Sequence, residues 1–146
     1  MTRKNTKSVN LKEVIYEWRL HLQGLASSGE LIEASKQALY LDKIPKSLTN
    51  IVTAIKEQKW SLLPSIKLLS SKKIGAARAA WDDKNSKIYI NKEWLKNSRI
   101  DEIISVLDEE FGHFLDSLIN SVDTIGDEGY IFSQILSSKS RYLKRN

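Results

Sequence analysis

Acidic and imidazole side chains recur along one face of a predicted helix in the C-terminal half of the chain. Glu109 and His113 are four residues apart and Asp116 follows three residues later, so the three side chains project from one helix face. Removing an ionised group from water without a partner is costly, and a half-buried face that carries three of them needs compensation. A divalent metal ion would supply it. Gly112 has no side chain, which leaves room beside His113 for a strand or a ligand.

The charge distribution indicates the same region. The chain has 146 residues and a formal net charge of +5, yet residues 101–128 contain nine acidic residues and no Lys or Arg. Carboxylates at this density repel one another unless a cation or a basic partner relieves them. We therefore expect the functional site here, with a cation or a basic partner beside it.

Composition excludes several other classes of protein. The chain has no cysteine, so disulfides, thiolate metal sites and thiol nucleophiles are excluded. It has no apolar run long enough for a transmembrane helix, and the first ten residues carry no apolar signal segment, so we expect no membrane partner and assume the cytoplasm by default. Lys and Arg are scattered and no nucleic-acid-binding motif is present, which makes a nucleic-acid partner an unfavoured alternative.

Hydrophobic periodicity predicts an α+β fold: N-terminal helices, a small antiparallel sheet built as a meander, and two C-terminal helices. Residues 11–138 form a single predicted domain, with a basic arm at 1–10 and a basic tail at 139–146. His21 falls off the apolar stripe of the first helix, so we expect it on the surface. The tryptophans are expected to line the core or a groove. The predicted elements are helices beginning at Leu11, near Glu30 and near Pro45, strands around Ile66–Leu68, Ala76–Trp81 and Lys87–Asn91, and helices at Ile100–Ile119 and Asp127–Ser138.

Three segments carry a resemblance to a known family. Glu109-Glu110-Phe111-Gly112-His113 resembles the zinc-binding helix motif H-E-x-x-H with glutamate in place of the first histidine. The strand Lys87–Asn91 precedes it, and Glu128–Leu136 follows it. Together they resemble the gluzincin metallopeptidases of the ImmA/IrrE type, a zincin group with an I-x-I-N strand before the metal helix and a glutamate-led helix after it. The resemblance covers about residues 75–138.

A second resemblance includes the same replacement of the first histidine by glutamate. The tract from Leu107 to Gly129 is similar to a domain of large cyanobacterial proteins that bear hemolysin-type calcium repeats, and such proteins share the Glu-for-His change. This chain carries no such repeats.

The resemblance implies a role for each site residue. His113 and Glu128 are implied metal ligands, Glu109 stands at the first ligand position, and Glu110 is the implied general base. Asp116 would complete the ligand shell or hydrogen-bond His113. Zinc is the expected ion, although two carboxylates with one imidazole move the preference towards Mn, Mg or Ca.

The resemblance also implies an activity, hydrolysis of a peptide bond. The substrate is expected to pair as an extended strand beside Tyr89 or its neighbours, and the acidic stretch would favour basic segments of it. The alternative is a catalytically inactive metallopeptidase-like module that keeps the fold and binds a peptide or protein without cutting it. The glutamate at position 109 favours this alternative, because it makes a bound metal a weaker Lewis acid.

Overall fold

A computed structural model describes residues 9–120 and 128–137, with side chains over 9–120 and 130–136. Three helices come first, a small sheet with two short helices follows, and two helices end the described chain. The elements are α1 (Leu11–Ser28), α2 (Glu30–Ala38), α3 (Lys46–Lys56), a 3-10 turn (Trp60–Leu62), β1 (Ser65–Leu69), α4 (Ser71–Ile74), β2 (Ala79–Asp82), β3 (Lys87–Asn91), α5 (Lys92–Lys96), α6 (Ile100–Ile119) and α7 (Glu128–Ser137). The predicted α+β class is confirmed.

Local chemistry sets the ends of α1. At its start the Asn10 carboxamide accepts a hydrogen bond from the Glu13 backbone N–H at 2.9 Å, and the Glu13 carboxylate accepts one from the Asn10 backbone N–H at 3.3 Å. This reciprocal cap satisfies two of the N–H groups that a helix start leaves unpaired. At its end Gly29 takes a left-handed conformation, with φ of 86°.

The sheet is mixed, with strand order β1-β3-β2. β2 pairs with β3 antiparallel as predicted, but β1 pairs with β3 parallel, so the predicted antiparallel meander is wrong in this detail. The reason lies between β1 and β2: α4 and Gly75, whose φ is 78°, redirect the chain, and β2 then joins the far side of β3. β3 is thus the central strand. The prediction that a peptide pairs beside Tyr89 or its neighbours is therefore wrong for Tyr89 itself, because β3 has a partner on each side, and it is left with the neighbouring strands β1 and β2.

The two open edges of the sheet belong to β1 and β2 within the described residues. The Ser65 backbone N–H donates to the Ser86 carbonyl at 3.3 Å, and the Asn91 N–H donates to the Arg78 carbonyl at 2.8 Å. Backbone groups alternate in direction along a strand. The N–H and C=O groups of Ile66 and Leu68 on β1, and of Ala79 and Trp81 on β2, therefore point to the open edges.

One hydrophobic core joins the helices to one face of the sheet, with buried residues that run from Val14 on α1 to Leu136 on α7. The Phe111 ring on α6 lies near its centre, with its centroid 5.5 Å from that of Trp18 and 6.1 Å from that of Phe132. Across the sheet, Trp81 on β2 packs edge-on against Phe114. The four tryptophans line this core as predicted, Trp18 buried and Trp60, Trp81 and Trp94 partly buried. None of the described helices has the length and apolar character needed to span a membrane.

Candidate functional site

α6 carries a buried polar group on its core side. The Asp108 carboxylate is 2% exposed. Its Oδ1 accepts a hydrogen bond from Trp18 Nε1 at 2.9 Å, and its Oδ2 lies 2.8 Å from His21 Nε2. A buried carboxylate is stable only when its oxygens are paired, and α1 supplies both partners here. This group therefore fixes α1 against α6.

The prediction that His21 lies on the surface is wrong, because the residue is 7% exposed and pairs with Asp108. The partner that draws it inwards lies 87 positions away in the sequence. One signal could have indicated the pair: Asp108 falls on the apolar face of α6, four residues after Ile104 and seven before Leu115, where an isolated carboxylate requires a buried partner.

The opposite, polar face of α6 borders a cavity of about 270 Å³, which we call the α6–α7 cleft. α6 and α7 are joined across it by serines: the Ser133 hydroxyl donates to the Ser105 carbonyl at 3.3 Å, and the two hydroxyls lie 3.4 Å apart. The cleft is lined by Arg78 before β2, by Glu102, Ser105, Val106 and Glu109 on α6, and by Tyr130, Ser133 and Gln134 on α7.

The structure brings part of the predicted site together. Glu109 lines the cleft, and His113 follows one turn later on the same helix; both side chains are half-buried. Glu110 is 8% exposed. Asp116 is half-buried, and its Oδ1 accepts a hydrogen bond from Asn120 Nδ2 at 2.7 Å. Glu128 begins α7, which packs against α6, but its side chain is outside the described ones.

The fit of a metal to these residues depends on Glu128. Over residues 9–120 and 130–136, no group of three or more His, Asp or Glu side chains is arranged to hold a metal ion. Glu109 and His113 supply two donors at helical spacing, and the predicted site takes Glu128 at the start of α7 as its third. The predicted ligand set of Glu109, His113, Glu128 and Asp116 therefore stays a prediction.

Arg78 is a site residue that sequence reasoning missed. Its side chain lines the same cavity as Glu102 and Glu109, and no salt bridge joins it to another described residue. A guanidinium here offers planar hydrogen-bond donors to a carboxylate or carbonyl group of a ligand, and its charge opposes a nearby metal ion. No local signal in the sequence marks it, because its place depends on the loop before β2.

Asn91 holds that loop in position. Its carboxamide oxygen accepts hydrogen bonds from the Ser71 hydroxyl at 2.9 Å and from the Glu93 and Trp94 backbone N–H groups at 3.0 and 3.1 Å. Its nitrogen donates to the carbonyls of Gly75 and Ala77, at 3.2 and 3.0 Å. One buried side chain therefore caps α5 and fixes the loop that leads to Arg78 and β2.

Carboxylates secure the elements around β2. The Ser71 backbone N–H donates to Glu93 at 2.7 Å, and this hydrogen bond lowers the pKa of Glu93. Asn85 donates to Asp82 in the turn after β2 and lowers the pKa of that carboxyl group in the same way. The hydroxyl of Ser117 on α6 hydrogen-bonds Asp83 in this turn. β2 is thus anchored beside α6.

Comparisons with models of protein families, with curated proteins and with solved structures find no match to this chain.

Proposed function

We propose that the chain is a metallopeptidase-like domain that binds an extended, basic peptide segment along the open edge of β2. The observation that carries the proposal is the juxtaposition of this edge with the polar face of α6. Arg78, directly before β2, lines the α6–α7 cleft together with Glu109, and in the core the Trp81 ring on β2 packs against Phe114 on α6 with centroids 5.7 Å apart, which fixes β2 beside α6. A peptide that adds a strand to β2 would run beside the cleft.

The charges around the cleft support a basic segment. Glu102 and Glu109 line it, and Asp116 follows on the same helix face, against the single guanidinium of Arg78. Carboxylates arranged beside an open strand edge attract cationic side chains of a peptide and repel acidic ones. This agrees with the preference expected from the acidic stretch of residues 101–128.

The proposed reaction is hydrolysis of a peptide bond. Glu109, His113 and Glu128 would hold a divalent ion, zinc first and Mn, Mg or Ca next. When bound, the ion would polarise the scissile carbonyl. Glu110 would take a proton from the attacking water, and its low exposure limits contact with bulk solvent.

The second candidate is the inactive peptide-binding module, and Arg78 is the observation that favours it. A guanidinium that shares a cavity with Glu109 neutralises part of the negative charge that a metal ion needs, and it can bind a peptide carbonyl or carboxylate itself. In this candidate the cleft binds the same basic segment and leaves it intact.

Peptide binding is the first test. The probe is a fluorescein-labelled, end-blocked octapeptide of alternating valine and lysine, measured by fluorescence anisotropy. The double variant Glu102→Gln/Glu109→Gln is expected to weaken binding about tenfold, because two carboxylates at the edge lose their charge. Glu33→Gln/Glu57→Gln is the matched control, since both residues are exposed and do not line the cleft. Equal affinity for all three proteins would overturn the proposed function.

Hydrolysis is the second test, and it separates the two candidates. The protein is purified without chelator, its metal content is measured by mass spectrometry, and lysine-rich peptides are assayed for cleavage with Zn, Mn or Ca added. Cleavage that Glu110→Gln abolishes, with binding unchanged, supports the peptidase. Binding without bound metal and without cleavage supports the inactive module. Equal cleavage by the wild type and Glu110→Gln would remove Glu110 as the base.

A further inference from the structure

A second surface groove lies between α1 and β1 and shares no lining residue with the α6–α7 cleft. It consists of two adjoining cavities of about 350 and 630 Å³, and we call it the α1–β1 groove. Ile15, Arg19 and Trp60 line both cavities. The remaining lining residues come from α1, from the segment 58–64 before the sheet, and from the start of β1.

The side chains of the groove are aromatic, aliphatic and cationic. The Arg19 guanidinium lies 4.9 Å from the ring centroid of Trp60, which holds its charge over the groove. Lys12 adds a second cation, and no acidic residue lines either cavity. Tyr16 is 62% exposed and Leu20 is 39% exposed, so large apolar surface is open to solvent beside the cations.

Part of the wall opposite α1 is the start of β1, whose outer edge is open. Ser65 and Ile66 line the groove at the start of β1. The backbone N–H and C=O groups of Ile66 and Leu68 point away from β3, and no described residue pairs with that side. These groups can hydrogen-bond the backbone of an added strand, as open sheet edges do in peptide-recognition domains.

We propose that the α1–β1 groove binds an extended acidic segment of a partner protein by strand addition to β1. Apolar side chains at every second position would pack against Trp60 and Ile15, because alternate side chains of a strand point to one face. The acidic side chains would pair with Arg19 and Lys12. A single-stranded nucleic acid could stack on Trp60, but its backbone carries no N–H and C=O groups to pair with β1. The open edge therefore favours a peptide.

The two ends of this chain do not match the groove in charge. Residues 1–8 and 138–146 contain seven Lys or Arg residues and no acidic one, so Arg19 and Lys12 would repel them. The occupant we propose is accordingly a segment of another protein. The proposal does not rest on the function proposed for the cleft, because the two surfaces differ in position, charge and lining residues.

The test uses a fluorescein-labelled, end-blocked octapeptide of alternating valine and glutamate and the full chain. Arg19→Glu is expected to weaken its binding about tenfold, because an attraction becomes a repulsion. Trp60→Ala is expected to weaken it about thirtyfold, since the aromatic surface on which the apolar side chains of the peptide would pack is lost. Arg78→Glu, a matched reversal in the α6–α7 cleft, should leave this binding unchanged. Thermal melting of each variant confirms that it is folded.

Two further probes test the mode of binding. A version of the peptide with every backbone nitrogen methylated keeps its charge but has no N–H group to donate to β1 from either edge, and it should not bind. A ten-nucleotide oligothymidine should not displace the acidic peptide. Unchanged affinity in Arg19→Glu, equal binding of the methylated peptide, or displacement by the oligonucleotide would each overturn the proposal.

Discussion

The two open edges of the sheet offer the same backbone groups but different surroundings. Beside β2 lie carboxylates, serine hydroxyls and one guanidinium, whereas beside β1 lie tryptophan, tyrosine, aliphatic side chains and two cations. Strand addition supplies similar hydrogen bonds at either edge, so flanking side chains have to select the segment that binds. On the two proposals, one three-stranded sheet would distinguish two segments of opposite charge because a different helix flanks each edge.

The largest expected effect concerns the Asp108 carboxylate, which joins α1 beside one edge to α6 beside the other. Asp108→Ala removes the buried partner of Trp18 Nε1 and of His21, and α1 then loses its polar attachment to α6. Because such a change leaves buried polar groups without this partner, we expect the free energy of unfolding to fall by about 3–5 kcal/mol. Urea denaturation measures the loss. Binding of both octapeptides should weaken together, since α1 flanks one edge and α6 the other.

Two comparisons make this prediction specific. Asp108→Asn keeps an acceptor for Trp18 but loses the charge beside His21, so its effect should be smaller, about 2 kcal/mol. Asp42→Ala removes an exposed carboxylate and should leave stability within about 0.5 kcal/mol. An Asp108→Ala protein as stable as the wild type would show that the buried pair does not hold α1 to α6.

Asn91→Ala is expected to weaken peptide binding at the β2 edge and to leave binding at the β1 edge unchanged. The variant loses the cap of α5 and the hydrogen bonds to the Gly75 and Ala77 carbonyls, so the loop before β2 loses its support. We expect a loss of about 2–3 kcal/mol in the free energy of unfolding. The valine–lysine peptide should bind more weakly because β2 and Arg78 move, whereas the valine–glutamate peptide should bind as before.

Asn97→Ala is the matched control for that experiment. Asn97 is exposed, and its side chain donates one hydrogen bond to the Glu93 carbonyl at 3.1 Å, so its loss should change stability by less than about 0.5 kcal/mol. If Asn91→Ala weakened both peptides equally, the two edges would not be independent binding surfaces.

The sequence predicted correctly the elements whose own residues show a clear hydrophobic periodicity. The α6 bounds, Ile100 and Ile119, and the β3 bounds, Lys87 and Asn91, agree with the sequence prediction, because an apolar stripe over twenty residues and a strict alternation over five leave little ambiguity. The parallel pairing of β1 was not predictable in this way. It depends on α4, a helix of four residues, which is too short to produce a periodic signal.

The same distinction applies to the candidate site. Glu109 and His113 share a helix face by spacing alone, which a sequence displays directly. The approach of Arg78 to Glu109 depends on the hydrogen bonds of Asn91, and the pairing of His21 with Asp108 depends on how α1 packs on α6. Contacts between distant segments follow from the whole fold, so a pattern within one element does not predict them.

The smallest expected effect is an acid sensitivity at the hydrogen bond that joins α4 to α5. The Ser71 N–H at the start of α4 donates to Glu93 on α5 and lowers the pKa of that carboxyl group. A group whose pKa is lower in the folded state stabilises the fold above its unfolded pKa, near its ordinary value of 4.5. That contribution is lost as the pH falls through the folded pKa.

Glu93→Gln should therefore lose less stability than the wild type between pH 7 and pH 3.5, as urea midpoints at the two pH values would measure. Glu33→Gln, exposed on α2, should keep the wild-type dependence. An equal loss in the wild type and Glu93→Gln would mean that the hydrogen bond from Ser71 does not stabilise the contact between α4 and α5.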